Sequence, residues 1–228
     1  MLRFCLVAIV AYSLSGAFSP AQNRPQNRGV EYGPTPTDLA NALAQMARSS
    51  KLPLIAELSQ PLPQIEVTQG TPLSPTALNA LLVQAPGYAW KQEGKTVHFY
   101  NVRLRDARFN FLNLEFSRFT LPSNLSELKL WLPGRAVGLL EGFSSEGGAT
   151  TGFGSAELQK ETLRPVALTN VSPLEVLLHA ANEKPIFYTV IVFPSASPSK
   201  EQAEKEVNWF WGTLAEKMIP LYAQPVRK

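Results

Sequence analysis

QIEVTQGTPLSPTALNALL, residues 64–82, decides how this chain is read. Gln64 to Thr68 alternates polar and apolar residues as a strand does, and Gln69-Gly70 turns the chain. Ser74 then offers a side-chain oxygen to cap a helix, and Pro75 suits its first position. Leu73 outside and Leu78 inside form a hydrophobic staple. Leu78, Leu81 and Leu82 make the buried stripe, and Pro86-Gly87 stops the element. Downstream, Tyr88–Gln92 and Lys95–Tyr100 read as a hairpin around Glu93-Gly94. Upstream, Thr35 is expected to cap a helix with Pro36 at its first position and Asp38 in its first turn. Leu39, Leu43, Met46 and Ala47 give that helix its apolar spacing, and Leu54–Leu58 follows as a strand. The order from 34 to 101 is helix, strand, strand, helix, strand, strand.

This unit resembles the secretin and TonB short N-terminal (STN-like) domain. The segments that carry the resemblance are LANALAQMARSSKLPLIAE, QIEVTQGTPLSPTALNALL and GYAWKQEGKTVHFY. The match rests on apolar positions and spans under a third of the chain. Pro61 and Pro63 crowd the join between the strands, where the family has a freer loop. The resemblance implies docking or signalling beside an outer-membrane secretin or receptor system. No receptor plug or β-barrel pattern follows, so the chain does not read as a whole secretin or receptor.

Residues 102–228 are expected to form a second α+β region. Arg105 to Leu121 reads as one or two strands with a break near Leu112, and Leu125 to Leu132 as a short helix or strand ended by Pro133-Gly134. Gly142 to Ala156, rich in Gly, Ser and Thr, reads as a mobile loop. Pro165–Thr169 reads as a strand. Ser172-Pro173-Leu174-Glu175 is a capping box, with Val171 and Val176 as its staple. A helix to Asn182 and an apolar strand from Ile186 to Phe193 complete an echo of Gln64–Gln92, a degenerate second copy. The last helix is expected from Ser197 to Ile219, with Trp209 on its wet face among Gln202, Glu206, Thr213 and Glu216.

The N-terminus sets the compartment. Arg3, the apolar run from Phe4 to Phe18, then Ser19 and Ala21 follow the layout of a secretory signal, residues 1–21, cut before Gln22. The run of about 15 residues is shorter than the roughly 20 that span a bilayer. An uncleaved anchor is the alternative. Residues 22–33, rich in Gln, Asn, Arg and Pro, read as a flexible tether. The single cysteine, Cys5, lies inside the signal. A mature chain without cysteine has no disulfide, thiol nucleophile or thiolate metal site. The expected localisation is periplasmic, or secreted, with no stable membrane insertion after cleavage. The net charge of +3 is too small to argue for nucleic acid.

Catalytic patterns are weak. His98 and His179 are the two histidines, and neither sits in a converging set of several ligands at metal spacing. Gly142–Gly147 misses the Gly-x-Ser-x-Gly elbow by one residue. Glu157 with Glu161, and Glu201 with Glu204, sit in charge-mixed stretches that read as solvated. Arg103, Arg105, Arg108 and Arg118 interleave with aromatics in the manner of a two-faced strand.

The sequence therefore reads as an α+β, non-catalytic interaction module without cofactor or metal, whose partner is an envelope protein. A cell-envelope hydrolase and a carrier of a small apolar ligand are the alternatives. The binding candidates are Trp209, Glu206 and Thr213 on the last helix. Leu54, Ala56, Thr96 and His98 are candidates on an exposed sheet edge, where a partner strand could add.

Overall fold

The computed structural model describes residues 35–142 and 161–215. The signal, the tether and most of the Gly142–Ala156 loop lie outside them. The fold is mixed α+β, and at its centre is a five-stranded sheet in the order β4-β5-β2-β8-β9. These strands are β2 (Leu54–Ser59), β4 (Tyr88–Glu93), β5 (Thr96–Asn101), β8 (Phe187–Phe193) and β9 (Asn208–Thr213). β2 runs parallel to both β5 and β8, while β4 and β9 close the two sides antiparallel. The two regions expected from the sequence thus share one sheet.

Period-two alternation sorts the central strands between two cores. Leu54, Ala56, Leu58, Val97, Phe99, Tyr188, Val190 and Val192 face one side. There they meet α1 (Leu39–Ser50), α2 (Pro75–Gln84) and a ribbon of β1 (Thr35–Asp38) with β3 (Gln64–Val67). Ile55, Phe187, Ile191 and Phe193 face the other. There they meet α5 (Pro173–Glu183), α4 (Leu125–Gly138) and a ribbon of β6 (Phe116–Thr120) with β7 (Ala167–Val171). Strands covered on both faces are near-continuously apolar, as is β8, buried throughout with Thr189 its one aliphatic polar residue.

Local chemistry sets the helix starts. Ser74 accepts from the Ala77 N–H, and Ser172 forms the full capping box with Glu175. The cap of α1 is Asp38, not Thr35: the Asn41 N–H donates to Asp38 Oδ1 at 2.8 Å, and residues 35–38 are strand. α4 continues through Pro133 to Gly138. In the stretch Arg105 to Leu121 one strand forms, β6, and the expected break near Leu112 is a 3-10 turn, Phe111–Asn113, while α3 (Val102–Arg105) leads into it.

The expected echo also takes a different form. β7 runs into α5 and, after residues 184–186, into β8. In the same way β1 runs into α1 and, after residues 51–53, into β2. β2 and β8 are parallel neighbours with their helices on opposite faces. The counterpart of β7-α5-β8 is therefore β1-α1-β2 rather than Gln64–Gln92.

The C-terminal helix is confined to α6 (Lys200–Lys205), capped by Ser199, and β9 follows where the helix was expected to continue. Asn208-Trp209-Phe210-Trp211 satisfies helical spacing on paper. Its alternating aromatics fit a strand better, and pairing with β8 decides the outcome.

Candidate functional site

β4 is one edge of the sheet, and none of the residues expected to bind lies on it. It joins β5 through Gly94-Lys95, with Glu93 opposite Thr96. Gly94 has φ +63°, as the first central residue of a type II′ turn requires. The other half of the chain holds this turn. Asn182 on α5 accepts from the Lys95 N–H at 2.8 Å and the Thr96 hydroxyl at 3.1 Å. A Cβ at Gly94 would come 2.7 Å from the same Asn182 oxygen.

Backbone polarity along β4 follows from one bond. The Val102 N–H donates to Gly87 O at 2.9 Å, so the backbone of residue 87 faces β5. Antiparallel alternation then turns Ala89, Lys91 and Glu93 inward and directs the N–H and C=O groups of Tyr88, Trp90 and Gln92 outward. On one flank Trp90 donates its indole N–H to Asn79 Oδ1 of α2 at 3.0 Å, and Val83 beside it is 84% exposed. On the other flank lie Ala89, Lys91 and Glu93, with Lys91 ion-paired to Glu93. Beyond them the Arg105 guanidinium lies 5.4 Å over the Tyr100 ring.

Behind β4 and β5 is a buried polar cluster. Glu57 on β2 and His98 on β5 are both fully buried, with His98 Nε2 2.5 Å from Glu57 Oε1. Asn110 donates to Glu57 Oε2 at 3.1 Å, and Arg105 Nη1 lies 3.5 Å from Oε1. His98 Nδ1 lies 3.8 Å from Glu93 Oε1. A carboxylate–imidazole pair is the core of many general-base systems, but a base must reach the proton it removes. Here the ring is sealed between β2, β5 and the Asn110 loop. Its chemistry is to fix the pairing of two parallel strands.

Among the other candidates, Leu54 and Ala56 are fully buried on the central strand β2, so they form no edge. Thr96 and His98 are fully buried on β5, which β4 covers. The wet helix face of Trp209, Glu206 and Thr213 does not form. Glu206 lies at the end of α6, while Trp209 and Thr213 are on β9, Thr213 buried opposite Phe187. Trp209 is half-buried, its ring stacked at 5.7 Å on Phe111 and 6.4 Å from Trp211. His179 is on the surface of α5, 4.0 Å from Glu183. At the far end of the sheet a hollow of about 690 Å³ is lined by Lys51, Glu161, Ile186 and Leu214 among others, a mixed rather than an apolar wall.

No protein-family model, curated protein or solved structure matches the chain. Among the described residues no helix is long and apolar enough to cross a membrane.

Proposed function

We propose that this protein is a non-catalytic interaction module of the cell envelope that takes up an extended segment of a partner protein along β4. The observation that carries this reading is the edge itself: three outward-facing residues, Tyr88, Trp90 and Gln92, on a strand anchored at its turn by Asn182. An unpaired strand edge is a template for another strand, and strand addition is a common way of binding peptides. The resemblance of residues 34–101 to the STN-like family supports the same reading, since α1, β2, β3, α2, β4 and β5 follow one another in the expected order. The exported location rests on the signal-like N-terminus.

Site-specific photo-crosslinking in cells tests the reading. A photoreactive residue at Gln92 is expected to trap one envelope protein, and the same residue at Glu206 is not. Equal yields from the two sites, or no adduct at Gln92, would overturn the edge as the docking site. N-terminal sequencing of the mature protein is expected to begin at Gln22, and a start at Met1 would overturn cleavage.

A further inference from the structure

The two flanks of β4 differ in charge, and a strand added to its edge presents alternate side chains to each. We infer that the occupant of the β4 edge is an extended acidic segment of another protein. Its uncharged residues face α2, and its carboxylates meet the cations that lack a carboxylate partner among the described residues, Lys95 at the turn of β4 and Arg103 on α3. This rests on the edge reading above and adds the chemistry of the partner.

α2 itself carries no charge, and Glu66, tied through its backbone to Gln84 at the end of α2, adds a carboxylate rather than a cation beside it. The sequence has no Asp, Glu, Lys or Arg between Glu66 and Lys91. α2 therefore turns Thr76, Asn79, Ala80, Val83 and Gln84 to solvent. A charged side chain laid against Val83 and Trp90 would lose water and gain no counter-ion. The opposite flank carries charges of both signs, most of them already paired. Glu93 is the one carboxylate on β4, and Lys91 already neutralises it. Glu57 lies buried beneath Arg105. α3 begins beside the Tyr88 end of β4, tied there by the Val102–Gly87 bond, and brings Arg103 and Arg105 with it. Among the described residues, Arg103 and Lys95 have no carboxylate within ion-pair distance. Carboxylates on the added strand would complete these charges.

The test titrates the full chain with short fluorescein-labelled peptides of alternating Val and Glu, Val and Lys, or Val and Asn, read by anisotropy. Gln92→Pro removes one outward N–H and leaves the β4–β5 ladder in place, because proline is tolerated where a strand N–H faces away from the sheet. Circular dichroism checks that this variant is folded. The Val–Glu peptide is expected to bind, to weaken about tenfold with Arg103→Glu and with added salt, and to be lost with Gln92→Pro. Equal binding of all three peptides, lost with Gln92→Pro, would overturn the acidic occupant and keep the edge. Val–Glu binding that survives Gln92→Pro would overturn strand addition. Failure of every peptide would overturn both. Dimerisation of the free chain that Gln92→Pro abolishes would assign the edge to a second copy and overturn the acidic partner.

Discussion

On one face of the five-stranded sheet, β2 and β5 present Glu57, Thr96 and His98, whereas β8 and β9 present Phe187, Phe193, Trp209 and Trp211. The polar half is joined by directional bonds: Glu57 to His98, Glu57 to Asn110, Thr96 to Asn182. The aromatic half is a run of rings, Phe193–Phe111–Trp209–Trp211–Phe187, with neighbouring centroids 5.2, 5.7, 6.4 and 5.5 Å apart. One loop keys into both, since Asn110 reaches Glu57 while Phe111 enters the stack. Bonds specify register and fail badly when one partner goes. Apolar stacking tolerates a change of ring and responds mainly to lost volume.

Substitutions can break this contrast. The largest loss is expected from Glu57→Ala, which leaves His98 buried without its partner and Asn110 with only the Leu104 carbonyl as acceptor. About 3–5 kcal/mol should disappear from the unfolding free energy measured in urea. Adding His98→Ala should recover part of it, and a purely additive pair would show that the two groups do not act together. Trp211→Ala should cost about 2 kcal/mol by emptying space between Trp209 and Phe187, whereas Trp211→Phe should cost less than about 1 kcal/mol. Equal losses from the two would contradict stacking as the source. Gly212→Ala sharpens the point on the opposite face. Gly212 is opposite Tyr188, whose ring occupies the place of the missing side chain and whose hydroxyl accepts from Arg48 at 2.9 Å. The added methyl should cost about 1–3 kcal/mol through overpacking, seen as a lower urea midpoint with an unchanged slope. Gln92→Pro, at the exposed edge, should shift stability by less than about 0.5 kcal/mol. A larger loss would mean that the Gln92 N–H already has a partner.

The sequence was legible where local chemistry settles the outcome. Ser74-Pro75 and the Ser172–Glu175 box mark two helix starts correctly, and Gly94 marks the hairpin, with its turn one residue later than Glu93-Gly94 implies. It was illegible where partners from elsewhere decide. Residues 208–213 contain apolar side chains at helical and at strand spacing alike, and only β8 selects the strand. Nothing local to Leu54 or His98 shows that β8 and β4 will cover them, so in sequence both look like edge residues. The Glu57–His98 pair joins strands that are adjacent only after α2 and the β4–β5 hairpin have formed. The β4 edge, proposed above as the docking site, is illegible for a related reason. Its marker is the uncharged run before Lys91 set against the arginines after Asn101, and that asymmetry has meaning only once the strand order is known.

β2 waits for β8, which is joined to it along its whole length yet comes from the other end of the chain. A ribosome finishes Leu54–Ser59 and the β4–β5 hairpin well before it reaches Phe187. Through that interval the side of β2 that will meet β8 is an unsatisfied row of backbone N–H and C=O groups flanked by Leu, Ile and Ala side chains, and the pairing that seals it is of the slow, distant kind. Newborn chains are therefore most vulnerable to clumping in the time it takes to make the second half. A stop before Phe187 would yield a sticky fragment rather than a smaller working protein, and the supply of holding chaperones should limit how fast this protein can be produced.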